Sequence, residues 1–85
     1  MNVTVIGSHL CPPTLYALNR LSEAGAEITF KNISASLTDL KAYLAMRDTS
    51  PVYVDVREKG KIGIPCFVLE DGTVTRDLEQ VLKSS

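Results

Sequence analysis

Residues 8–14 read Ser8-His9-Leu10-Cys11-Pro12-Pro13-Thr14, a cysteine set directly before two prolines. The chain changes character at this point. Upstream, "NVTVI" (2–6) is rich in β-branched residues and ends at Gly7, which reads as a first strand. Downstream, Leu15, Leu18 and Leu21 recur every third residue with Ala17 and Ala24 alongside, and Gly25 follows as the expected C-terminal cap. Proline suits the first turn of a helix, whose N–H groups have no intrahelical partner. The first helix is therefore predicted to start at Pro12, with Cys11 at or beside its N-cap.

Beyond Gly25, "AEITFK" (26–31) alternates polar and apolar residues and predicts a second strand. Ser36 and Asp39 resemble a capping box, with Asp in place of the usual Glu or Gln. They open a helix predicted over about 37–47, whose apolar stripe is Leu37, Leu40, Tyr43 and Leu44. Residues 48–63, with proline near one end and glycines near the other, read as a long loop with room for a short extended piece. A third strand is predicted to begin at Pro65, the strand position that best tolerates proline. Asp71-Gly72 is a hairpin signal leading antiparallel into a short strand at 73–75. Thr75 is placed to cap a last helix over 76–83, with Leu78, Val81 and Leu82 on its core face. The predicted order is β-α-β-α-β-β-α, its first β-α-β unit parallel with a right-handed crossover.

At 85 residues and 45% apolar content, the chain is expected to form one domain (1–85). A chain of this length buries only about 60% of its unfolded surface, so its core must be efficient. A net charge of −1 gives no basic footprint for nucleic acid. No apolar run approaches the roughly 20 residues of a membrane helix, and "MNVTVIG" lacks the basic region and long apolar stretch of a signal peptide. Two widely spaced cysteines are not a secreted disulfide framework. The expected compartment is the cytoplasm, where a thiol in so conspicuous a place reads as reactive.

Only the thiolate of a cysteine is a nucleophile, and the uncapped N–H groups and positive end of a helix favour a negative sulfur. Cys11 has that position by construction. His9, two residues back, offers a hydrogen bond or positive charge. The bland alternative is a small buried hydrophobe, as most free cysteines are; a strand-to-helix junction before Pro-Pro argues against it.

"CPPT" (11–14) at the start of helix one, "GIP" (63–65) opening strand three, and the hairpin and helix that follow resemble the glutaredoxins of the thioredoxin fold over essentially the whole chain. The resemblance implies an α/β fold with a four-stranded mixed sheet flanked by three helices. It implies a cis Pro65 packed beside the Cys11 sulfur, and backbone groups of Ile64 pairing with bound glutathione as an added strand would. Pro13, Gly63, Ile64, Pro65, Thr75, Arg76 and Asp77 fall in the implied glutathione site with Cys11. The start of the last helix receives the γ-glutamyl end, where Thr75 and Asp77 are otherwise simple caps. The implied activity is glutathione-dependent thiol–disulfide exchange in a monomer. Its co-substrate is glutathione, and its partners are glutathionylated or disulfide-containing proteins. Neither nucleic acid nor membrane is an expected partner.

Thr14 occupies the place of the second cysteine of dithiol glutaredoxins, so a monothiol route is expected, with Thr14 able to hydrogen-bond the Cys11 thiolate. Ser8 replaces a lysine common in the family, Pro13 an aromatic residue, and the usual Gly-Gly before the last helix is missing. A cation for the glycine carboxylate of glutathione would have to come from Arg47, Arg57, Lys59 or Lys61. Cys66 has three readings: a core residue, a thiol that resolves Cys11, or a metal ligand with Cys11 and His9. The last has no metal-binding spacing to support it. Other functions consistent with the pattern are an iron–sulfur-cluster-binding monothiol protein, a redoxin served by thioredoxin reductase, and an inactive thioredoxin-fold binding module.

Overall fold

In a computed structural model, which describes residues 1–49 and 63–83, the β-branched run after Asn2 becomes the inner strand β1 (Asn2–Gly7). It pairs in parallel with β2 (Glu27–Asn32), Asn2 opposite Glu27 and Gly7 opposite Asn32. On its other side it pairs antiparallel with β3 (Cys66–Leu69), Ile6 opposite Cys66 and Val5 opposite Phe67. Strand β4 (Val74–Thr75) lies antiparallel to β3, so the sheet order is β2-β1-β3-β4. Parallel neighbours need a crossover, and helix α1 (Pro12–Glu23) supplies it. Helix α2 (Leu37–Thr49) follows β2, and α3 (Leu78–Lys83) ends the described chain. A mixed four-stranded sheet with three helices among the described residues, in the order β-α-β-α-β-β-α, is a thioredoxin-like α/β layout. The predicted loop at 48–63 mostly lies outside the described residues; its first two residues belong to α2. No described helix is long and apolar enough to cross a membrane.

Successive residues of a strand face opposite sides, and β1 uses both. Val3 and Val5 join Ala17, Leu21, Phe67 and Val81 in one cluster, under α1 and α3. Ile6 joins Ile33, Tyr43 and Cys66 in the other, under α2. An inner strand with core on both faces explains why "NVTVI" carries little polarity.

The helices turn differently from their leucine patterns. On α1 the fully buried residues are Thr14, Ala17 and Leu21, with Leu18 partly buried, while Leu15 is 49% exposed. The inward face thus starts from a threonine. Leu37 is likewise exposed on α2, whose buried anchor is Tyr43, with Leu40 and Leu44 packed around it. Ser36 caps α2 by accepting the Asp39 N–H at 3.2 Å, but its own N–H goes to the Asn32 carbonyl at 3.1 Å. Only half of a capping box forms.

The hairpin uses three loop residues. Leu69 N–H bonds the Thr73 carbonyl and Gly72 N–H the Leu69 carbonyl, both at 2.9 Å, and Gly72 takes φ +88°, where glycine meets no Cβ penalty. Helix α3 starts two residues later than predicted. Thr75 Oγ1 accepts the Asp77 N–H at 3.0 Å, and Asp77 Oδ1 accepts the Glu79 N–H at 3.0 Å. Asp77, rather than Thr75, is therefore the N-cap.

Candidate functional site

Cys11 is the N-cap of α1, in extended backbone (φ −104°, ψ 111°), half-buried and making no side-chain cap bond. Its N–H bonds the Ser8 carbonyl at 3.0 Å, closing a turn over His9 and Leu10, and its carbonyl accepts the Leu15 N–H at 3.1 Å. Pro12 and Pro13 fill the first two helical positions, and no acidic residue stands in that turn. This alters the donor count. Prolines carry no N–H, so of the first three helical residues only Thr14 retains a backbone donor. The first turn thus offers a ligand or a sulfur at this end fewer backbone donors than an ordinary helix start does.

The Thr14 side chain does something other than expected. It is completely buried, and its hydroxyl accepts the Ser8 N–H at 3.4 Å. Among the described residues it makes no bond to Cys11. Ser8 is also buried, so it fixes the turn instead of meeting a ligand. Its hydroxyl is hydrogen-bonded to that of Ser34 and accepts the Leu10 N–H at 3.0 Å. Asn32 holds the other side. Its side-chain oxygen accepts the N–H groups of His9 at 3.4 Å and Ser34 at 3.1 Å. The amide nitrogen therefore faces His9 Nδ1, at 2.8 Å, and Nδ1 is the acceptor. His9 is engaged with β2, and among the described residues it gives Cys11 no hydrogen bond.

A groove of about 590 Å³ runs beside the prolines that follow Cys11. Pro12, Pro13 and Tyr16 come to it from α1, and Pro65 and Phe67 from β3. Arg76, Asp77 and Glu79 supply its polar part. The Ile64–Pro65 peptide bond is cis, and Gly63 before it has φ +79°. Of the residues the sequence proposed for a site, Pro13, Pro65, Arg76 and Asp77 thus share this groove, and Cys11 itself is not one of its lining residues. Thr75 is buried, with its hydroxyl used within the chain on Asp77 N–H and Gln80. The Asp77 N–H, at the helix start that the resemblance gives to the γ-glutamyl end, is likewise taken within this turn, as is the N–H of Glu79. Ile64 is half-buried and packs on the α2-side core. Of the cations considered, Arg47 lies 3.6 Å from Asp48; Arg57, Lys59 and Lys61 lie outside the described residues.

Over 71 residues the chain is 31% identical to an uncharacterized protein of Haemophilus influenzae, a match covering 84% of this chain and 83% of the other. The chain belongs to that protein's family. No family model matches the sequence, and no solved structure matches it.

Cys66 decides among its three readings by position. It is fully buried opposite Ile6, in the cluster under α2, whereas Phe67 beside it faces α1 and α3. It is a core residue. Neither cysteine is in a disulfide, and among the described residues no three His, Cys, Asp or Glu side chains gather as a metal ion needs.

Tyr16, Phe67 and Glu79 line the groove without being among the site residues that the sequence points to. The Tyr16 hydroxyl accepts a hydrogen bond from Arg20 Nη1 at 2.7 Å. That bond holds Arg20 above its ordinary basicity, with a smaller contribution from Glu79. A tyrosine four residues before an arginine is a helical-pair signal, and it was available in the sequence.

Proposed function

We propose that the protein is a glutathione-dependent thiol–disulfide oxidoreductase that works through Cys11 alone. The observation that carries this reading is the placement of a half-exposed thiol at the N-cap of α1, with no side-chain cap bond, directly before the two prolines that line the groove. In the reaction, the Cys11 thiolate attacks the glutathionyl sulfur of a protein–glutathione mixed disulfide. A Cys11–glutathione disulfide forms, the old S–S bond breaks, and the protein thiolate leaves and takes a proton. A second glutathione thiolate then attacks the glutathionyl sulfur of the adduct. Oxidised glutathione leaves and the Cys11 thiolate is restored, so one disulfide is reduced and one is made.

The groove has the size of a small-ligand site. Its apolar wall suits the cysteinyl part of glutathione, and Arg76 and Asp77 suit the charged γ-glutamyl end by opposite-charge pairing. The backbone of Ile64 is the proposed partner for the tripeptide backbone. Binding the γ-glutamyl carboxylate falls to side chains more than to the start of α3, whose donors are partly used.

The test is reduction of a glutathionylated peptide by glutathione, followed for wild type, Cys11→Ser and Cys66→Ala. Activity is expected to vanish in Cys11→Ser and to persist in Cys66→Ala. Activity that survives in Cys11→Ser sinks the proposal, and activity lost in a folded Cys66→Ala replaces the monothiol route with a two-thiol one.

A further inference from the structure

Tyr16 is a large aromatic residue left 57% exposed on α1, and yet it is held in place. Arg20 Nη1 bonds its hydroxyl, and the same guanidinium carbon lies 5.7 Å from the centre of its ring. Arg20 Nη1 is in turn 3.7 Å from Glu79 Oε1 on α3. Tyr16 and Glu79 both line the groove, so the chain Tyr16–Arg20–Glu79 ties one wall of it to another. Residues four apart meet on a helix surface, and an arginine over a tyrosine face adds cation–π attraction. An aromatic ring that merely covered core would be buried. This one lines the groove and is already engaged by Arg20 through both its hydroxyl and its ring. An ordered wall loses no rotamer freedom on binding, which is what makes a ring an effective contact surface.

We infer that Tyr16 is a specificity-determining wall of the groove, selecting thiols that carry flat peptide units over small thiols, and that Arg20 is its positioning residue. The inference rests on the reading of this groove as the glutathione site. Peptide groups of a cysteinyl tripeptide stack on such a ring, whereas 2-mercaptoethanol has nothing to place there.

The test is titration calorimetry with S-methylglutathione, which binds without redox chemistry, on wild type, Tyr16→Ala, Tyr16→Phe, Arg20→Met and the double variant Tyr16→Phe/Arg20→Met. Tyr16→Ala is expected to weaken binding roughly fivefold to tenfold. Tyr16→Phe and Arg20→Met should each fall between wild type and Tyr16→Ala. Their combination should be no worse than Arg20→Met alone, because that change already removes the hydroxyl bond that Tyr16→Phe cuts. Iodoacetamide alkylation of Cys11 and the melting temperature should stay at wild-type values in Tyr16→Ala. Equal affinity of wild type and Tyr16→Ala overturns this inference alone. Lowered affinity accompanied by a changed alkylation rate or melting temperature assigns Tyr16 a structural role and also overturns it. Failure of wild type to bind overturns the proposed function, and this inference with it.

Discussion

Thr14 lies so close over Gly7 that a Cβ at Gly7 would fall 2.5 Å from both Thr14 Cγ2 and Thr14 Oγ1. The end of β1 and the first turn of α1 are thus in contact through a glycine that has no room for a side chain. Gly7 has ordinary backbone angles, so close approach explains it and conformation does not. The contact sets where α1 begins relative to the sheet, and hence where Cys11 stands.

Gly7→Ala is therefore expected to destabilise the fold by about 1–3 kcal/mol, the usual cost of forcing an extra methyl into a packed site. Thr14→Ala removes the two atoms that collide. In a double-mutant cycle by urea denaturation, Thr14→Ala should recover part of the Gly7→Ala loss, a non-additivity expected of residues in contact. Strict additivity of the two would show that the strand and helix are not seated as described.

Cys66 gives a second prediction, from burial. In the native protein N-ethylmaleimide should modify one thiol rapidly, Cys11, and reach Cys66 only in denaturant. Cys66→Ala should cost about 1–2 kcal/mol of stability, a normal figure for a buried substitution that leaves a small void. Peptide mapping of the labelled protein checks the first point, and native labelling of Cys66 at the Cys11 rate would refute it.

Much of this arrangement was legible in the sequence because local signals agreed. Pro12 and Pro13 mark the start of α1, and Asp71-Gly72 the hairpin. What was misread was orientation. Leu15 falls in the leucine pattern that predicts core, and Thr14 reads as a partner for Cys11, but contact with Gly7 turns the threonine inward and the leucine is left half exposed. The start of α3 was misplaced because Thr75 and Asp77 are both good caps, and the choice depends on β4 holding Thr75 in the sheet. The spacing of Tyr16 and Arg20 is readable in the sequence, but their link to Glu79 is not, because only the fold brings it near.

The hairpin carries a pH dependence whose sign is fixed by Asp71. Hydrogen bonding from Thr73, including its N–H at 2.9 Å, holds the Asp71 carboxyl below its ordinary 3.8. A carboxyl that is more acidic when folded stabilises the fold above its unfolded value. That contribution is lost as pH falls through the folded value, which lies below 3.8. Asp71→Asn keeps a turn-forming residue before Gly72 but cannot titrate. Denaturant midpoints measured from about pH 5 down to about pH 2 should fall less steeply in Asp71→Asn than in wild type. Identical slopes would remove Asp71 from the acid response. Because Asp71 is on the surface, the difference should shrink as salt is added.

Ser8 allows a last prediction, in which two ways of reading one position give opposite results. In the glutaredoxin resemblance a lysine belongs there, and Ser8→Lys would be expected to improve glutathione binding. In the structure Ser8 is only 5% exposed, its hydroxyl is bonded to Ser34 and to the Leu10 N–H, and its carbonyl receives the Cys11 N–H. A lysine would take a charge into that site and leave the Leu10 donor without its acceptor. Ser8→Lys should therefore destabilise by about 2–4 kcal/mol, more than the roughly 1–2 kcal/mol of Ser8→Ala, which only forgoes the hydroxyl's bonds. Both changes loosen the turn that presents Cys11, so both should alter its alkylation rate by iodoacetamide. A Ser8→Lys protein as stable as wild type, with tighter S-methylglutathione binding, would mean that the turn can open and that position 8 faces the ligand.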